Sequence, residues 1–316
     1  MWGDCLFRLL GFFFLVFFCT GCVFSKPRGN PSAFAGKIQD NIIFIEPQLV
    51  RFERPGPFQV MSRLDREFNL DLDDEVVVDH FFVNSSDKLP VVLMSHGNFS
   101  NKRAHRQQAR HLASWGFHVV TVESPNRDQW LENGVRLKKI ADMLRSFPKI
   151  LGQNADSSRM IVVGHSFGGS AAVLASGSGA PFIGAILLDP AVVHPDVIDA
   201  MQRSDIPVAL LGSDKRVFTA RGRWKFGKNI SGEMIEVTVP YSTHDDAQGP
   251  SVFSQAALGV DPFTSDKKQA RFRSLLTVAV IGIASSGTLD FPLRVFSKAA
   301  DSGLLADLKF KESLEN

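Results

Sequence analysis

The sequence predicts an α/β fold, a mostly parallel doubly wound sheet with helices on both faces. Three observations carry this. From Met94 onward, short apolar strand-like runs alternate steadily with stretches of helical spacing, the pattern of parallel strands joined by crossover helices. A β-branched run, Met160-Ile161-Val162-Val163, ends abruptly in Gly164-His165-Ser166-Phe167-Gly168-Gly169 and leads into Ser170-Ala171-Ala172-Val173-Leu174-Ala175, which reads as strand, sharp turn, helix. A length of 316 residues, 44% hydrophobic and 22% charged, suits one large domain.

The elements follow in order. Residues 1–22 hold an apolar run, Leu9 to Phe18, too short to span a bilayer comfortably and matching the core of an export signal. Cys19-Thr20-Gly21-Cys22 resembles the bacterial lipoprotein processing site, which makes Cys22 the lipidated residue and the cell envelope the expected location, lipid-anchored on its periplasmic side or at the outer membrane, with secretion as the alternative. All three cysteines, Cys5, Cys19 and Cys22, lie here, so a mature chain starting at Cys22 folds without an internal disulfide. Residues 23–56, rich in Pro, Gly, Asn and Ser, read as a tether with one apolar island, Ile42 to Ile45, as an edge strand.

Residues 57–289 form the expected domain. Glu75 to Val83 and Leu89 to Met94 are strands separated by the turn Asn84-Ser85-Ser86-Asp87. Arg103 to Trp115 is helical, Phe117 to Val122 a strand, and Trp130 to Phe147 a helix. After the serine turn come strands at Phe182 to Leu188, Ile206 to Leu211 and Met234 to Val239, then a helix from about Lys268 to Ala284. Its apolar stretch Leu275 to Ala284 is read as core rather than as a membrane span. Residues 290–316 form an amphipathic tail packed on the domain. The basic cluster Lys215, Arg216, Arg221, Arg223 and Lys225 reads as a solvated loop.

The chemistry centres on Ser166. A nucleophile at the tip of such a turn has strained backbone angles, and Gly164 and Gly168 remove side chains that would strike the neighbouring strand and helix. The reading places Ser166 in solvent, with the Phe167 amide and the positive end of the next helix facing any oxyanion formed there. A serine hydroxyl needs a general base, and the base needs an orienting carboxylate. His244 lies in a loop after the last predicted strand and suits the base. Asp189 and Asp214 each follow a strand and are both open as the acid. The second oxyanion donor is expected after the third strand, in Met94-Ser95-His96-Gly97-Asn98-Phe99, from the Asn98 amide. His96 and His165 are read as structural. The net charge of +2, with no basic block beside aromatic platforms, points away from nucleic acid. No zinc-type spacing occurs, and neither a metal nor an organic cofactor is expected.

Ser95-His96-Gly97, Leu112-Ala113-Ser114-Trp115-Gly116-Phe117-His118-Val119-Val120-Thr121-Val122-Glu123, Gly164-His165-Ser166-Phe167-Gly168-Gly169 and Leu187-Leu188-Asp189-Pro190 together resemble the platelet-activating-factor acetylhydrolase and dienelactone-hydrolase-like group of α/β hydrolases. The resemblance implies that fold between about Gly56 and Asp246. It also implies hydrolysis of small carboxylic esters, including short acyl groups of phospholipids, without a cofactor. In the acetylhydrolases the acid follows the strand after the nucleophile helix. That position carries over onto Asp189, 23 residues after Ser166, with the base on His244, 78 after it. The chain departs from the group at Asn98, where an apolar residue is common, and at Ser124-Pro125-Asn126, which replaces a more basic stretch. The expected partners are thus a small ester or lipid substrate and a membrane reached through the N-terminal lipid. Two rival readings are an interfacial lipase with a lid at Gly249 to Phe263, and a non-catalytic envelope lipoprotein that keeps the fold for binding.

Overall fold

The structure, a computed structural model, describes residues 48–71, 74–124, 129–214, 223–249 and 264–312. The expected signal, Cys22 and the island Ile42 to Ile45 lie outside the described residues, as do Lys215, Arg216, Arg221 and all of the candidate lid but Gly249.

The described residues build one nine-stranded sheet. Its strands are β1 (Met61–Asp71), β2 (Asp74–Phe82), β3 (Leu89–Ser95), β4 (His118–Val122), β5 (Ala155–His165), β6 (Phe182–Leu188), β7 (Val208–Ser213), β8 (Met234–Val239) and β9 (Ala306–Lys311), in the order β1-β2-β4-β3-β5-β6-β7-β8-β9. The six strands from β3 to β8 run parallel, while β1, β2 and β9 pair antiparallel at the two ends. The helices are α1 (Arg106–Ser114), α2 (Trp130–Ser146), α3 (Phe167–Gly177), α4 (Asp196–Gln202), α5 (Arg223–Asn229), α6 (Asp266–Ser286) and α7 (Asp290–Asp301).

Every residue of β3, β4, β7 and β8 is buried, because helices cover both faces of the sheet. Alternate residues feed two separate cores. Val92, Met94, Ile161, Val163 and Ile186 meet α1, α6 and α7 on one face, and Val91, Leu93, Met160, Val162 and Leu187 meet α2, α3 and α4 on the other. The apolar stretch in α6 is core: Leu275, Leu276, Val280 and Ile283 are buried, and a Cβ at Gly184 of β6 would come within 2.5 Å of Ile283. Among the described residues no helix is long and apolar enough to cross a membrane.

Two elements go beyond the expectations. The C-terminal tail does more than pack on the surface. Val295, Phe296 and Ala299 of α7 and Leu305 belong to the core, and β9 hydrogen-bonds to β8 as the edge strand of the sheet. The strand β1 had no counterpart in the sequence reading. It is mostly exposed, so its pattern lacks the apolar period that marks the other strands.

Candidate active site

The parallel strands end on one side of the sheet, and the residues singled out in the sequence gather there. The chain leaves β5 through Ser166, whose φ of 54° and ψ of −120° lie outside the ordinary regions for a residue with a side chain. Three backbone bonds hold that conformation. The Ser166 amide donates to Leu188 O at 3.0 Å, and its carbonyl accepts from Gly169 and Ala191, each at 3.0 Å. The flanking glycines meet the expected demand: a Cβ at Gly164 would lie 2.2 Å from Gly168 O, and one at Gly168 would lie 2.5 Å from Ser95 O and His96 O.

Ser166 is not standing in solvent, as the sequence reading had it, since only 7% of its surface is exposed. The loop after β3 covers it. A Cβ at Gly97 would come within 2.8 Å of Ser166 Cβ, so the backbone of that loop approaches the serine more closely than any side chain allows. His96 steers the loop, its Nδ1 lying 2.8 Å from Gly97 O while its Nε2 accepts from the Ser124 amide at 3.0 Å. A carbonyl only accepts, so Nδ1 carries the hydrogen. In a trans peptide the N–H points opposite to the C=O, so the Asn98 amide faces away from His96. The Asn98 side chain accepts the Phe99 amide at 3.0 Å. Phe167 is the first residue of α3, where a helix leaves its amide without an intrahelical partner. Its ring meets Trp130 edge-on, with centroids 4.6 Å apart.

Asp189 follows β6 with φ of 41°, and its carboxylate is almost wholly buried. His244 opens a 3-10 turn, His244–Ala247, after β8, and its Nδ1 lies 2.7 Å from Asp189 Oδ2. Asp189 also accepts from the Ser213 amide at 3.1 Å, the Ser213 hydroxyl at 2.5 Å and Arg223 Nη1 at 3.4 Å. Burial alone pushes the Asp189 carboxyl upward, but His244, Ser213 and Arg223 together outweigh it and hold the acid well below the usual carboxylate range. The acid is therefore ionised and can only accept, which places a hydrogen on His244 Nδ1 and leaves Nε2 as the nitrogen on the ring's other side. Asp214, the other candidate acid, is engaged elsewhere, its Oδ2 accepting the Tyr241 amide at 2.7 Å.

His165 joins the serine turn to the histidine loop. Its ring lies 4.4 Å from that of His244, and its Nε2 donates to His244 O at 3.1 Å. Burial, with the His244 and His105 rings beside it, holds its pKa well below the ordinary imidazole value, so it is a neutral support. The sequence reading missed Ser213 and Arg223. Ser213 carries the positional signal of a strand carboxyl end, whereas Arg223 stood among cations read as solvated and is 11% exposed at its side chain. Among the described residues no three His, Cys, Asp or Glu side chains group as metal ligands.

What this arrangement can do chemically is bring a strained serine, a histidine held through its Nδ1 and a buried ionised acid to one end of a parallel sheet. No curated protein matches the chain. A family model described as the alpha/beta hydrolase family matches residues 91–305, a span that holds Ser166, Asp189 and His244. With that match over more than half its length, and with this sheet, the chain belongs to the alpha/beta hydrolase family.

Proposed function

We propose that the chain is a serine-dependent carboxylic ester hydrolase for short-chain acyl esters, phospholipid acyl groups among them. The observation that carries the reading is the 2.7 Å bond from His244 Nδ1 to buried Asp189, beside a serine held at positive φ at the start of a helix. Ser166 attacks the ester carbonyl while His244 Nε2 takes its proton. Asp189 orients the imidazole and offsets the charge it gains. The amides of Asn98 and Phe167 stabilise the tetrahedral oxyanion. As it collapses, the acyl–oxygen bond breaks and His244 returns the proton to the leaving alcohol. Water, deprotonated by the same nitrogen, then attacks the acyl-enzyme and frees Ser166. In this reading, lipid on Cys22 holds the enzyme at the cell envelope near such substrates.

Labelling of the full chain in detergent with a fluorophosphonate, alongside hydrolysis of p-nitrophenyl esters of increasing acyl length, tests the proposal. The expected result is one adduct at Ser166, lost in Ser166→Ala, with turnover falling as the acyl chain lengthens. A folded protein that neither labels nor turns over any ester overturns it.

A further inference from the structure

Within the basic stretch expected to be solvated, one cation is turned inward. Arg223 opens α5, and its guanidinium reaches the ends of three adjacent strands. Nη1 donates to Ser213 O at 2.6 Å and faces Asp189 Oδ1 at 3.4 Å. Nη2 donates to Thr238 Oγ1 at 3.1 Å, and Nε lies 3.5 Å from Glu236 Oε1. Gly212 makes the room, because a Cβ there would overlap the guanidinium. Glu236 is buried and receives Lys309 Nζ from β9 at 3.0 Å. A row of alternating charge therefore runs from the edge of the sheet inward: Lys309, Glu236, Arg223, Asp189 and then His244.

We propose that Arg223 is a positioning residue that sets how much negative charge Asp189 presents to His244, and so sets the pH at which His244 becomes a base. That His244 acts as a base rests on the function proposed above; its proton affinity does not. An ionised carboxylate stabilises the imidazolium, and a cation on the carboxylate's far oxygen takes part of that field away. Glu236 draws on the same cation and returns part of it. Among the described residues, the other titratable groups around the ring are held by separate contacts. His165 beneath it and His105 beyond are neutral through burial. Asp246 is occupied by Thr243 and the Ser265 amide, Asp245 by Gln248, and Asp214 by the Tyr241 amide.

The test is the titration of His244 followed by NMR in the full chain carrying nitrogen-15 histidine, with the resonance assigned from its loss in His244→Gln. In Arg223→Gln the His244 titration moves up by about one pH unit, the size expected of one neighbouring charge at intermediate dielectric once a counter-ion offsets part of it. Glu236→Gln moves it down by about half a unit, and Lys309→Met moves it up by less, because Lys309 is exposed to water. Arg223→Lys keeps the charge and stays close to the parent. A merely structural Arg223 predicts either no shift or shifts of one sign in all variants. A change under about 0.2 units in Arg223→Gln, or an upward shift in Glu236→Gln, overturns the proposal. If Arg223→Gln fails to fold, the opposite signs of Glu236→Gln and Lys309→Met decide it. Shifts as expected in a protein that hydrolyses no ester leave the charge row standing and overturn the function alone.

Discussion

Gly97→Ala tests the geometry of the site with a single methyl group. The added Cβ would start 2.8 Å from Ser166 Cβ and 3.1 Å from His165 Nδ1, against roughly 3.5–4.0 Å for carbon atoms in contact. The loop and the serine turn must therefore separate by about 0.7–1.2 Å. The serine turn cannot yield cheaply, since its backbone is bonded to Leu188, Gly169 and Ala191. The movement falls on the loop that carries the Asn98 amide. A displacement of that size costs on the order of 100-fold in rate, while overpacking costs about 1–3 kcal/mol of stability. The assay is kcat and KM for p-nitrophenyl acetate with a thermal melt of each protein. Gly179→Ala is the control, because a new Cβ there has nothing within 4 Å and its only cost is the strained backbone (φ 76°). It should lose stability and keep full activity. If Gly97→Ala keeps kcat within about twofold of the parent, the loop does not supply a donor in the transition state and the Asn98 assignment fails.

Two further outcomes are expected. Asp189→Asn should lower kcat by about 10⁴-fold through loss of the correct imidazole tautomer, whereas Asp214→Asn should cost less than about tenfold; ester turnover of the two variants measures this, and the reverse order would move the acid to Asp214. Burial holds His105 and His111 down to about 4, so neither takes up its proton in the folded state at mildly acid pH. The unfolded chain does so at about 6.5. It then binds more protons than the folded one, so stability is complete above that pH and falls as pH drops from about 6.5 towards 4. The loss is on the order of 3 kcal/mol per histidine. Urea unfolding between pH 7.5 and 5 should show it, with a shallower slope in His111→Gln; a flat profile refutes it.

The parallel core was legible because its strands are apolar on both faces and regularly spaced. Phe182–Leu188 and Met234–Val239 were read to the residue. Short edge elements were not. In β1, exposed residues outnumber buried ones, and in β9 none is fully buried, so neither has the period that identifies a strand. In the site, Gly164, Ser166 and Gly168 form a local motif whose steric logic can be read from spacing alone. The choice between Asp189 and Asp214 cannot, because both follow strands of the same character; it needed a likeness to other proteins, and the bond to His244 falls on Asp189. Arg223 was hidden for a different reason. Its role depends on Glu236 and Thr238 facing it from β8 and on the missing side chain of Gly212, none of which is near it in sequence.

The 3-10 turn Leu49–Glu53 has a consequence for how the chain reaches its native state. Phe52 is wholly buried, with its ring 5.1 Å from that of Trp115 and 6.4 Å from that of Phe291, and Glu53 pairs with Arg271 at 2.6 Å. Part of what the earliest described side chains pack against is thus made more than 200 positions later. Emerging from the ribosome, this turn can meet Trp115 early, but its full burial waits for α6 and α7, so the contacts with Arg271 and Phe291 close a loop of that length late. Completion of the domain is accordingly late and slow, set by the meeting of its two ends rather than by any helix forming between them.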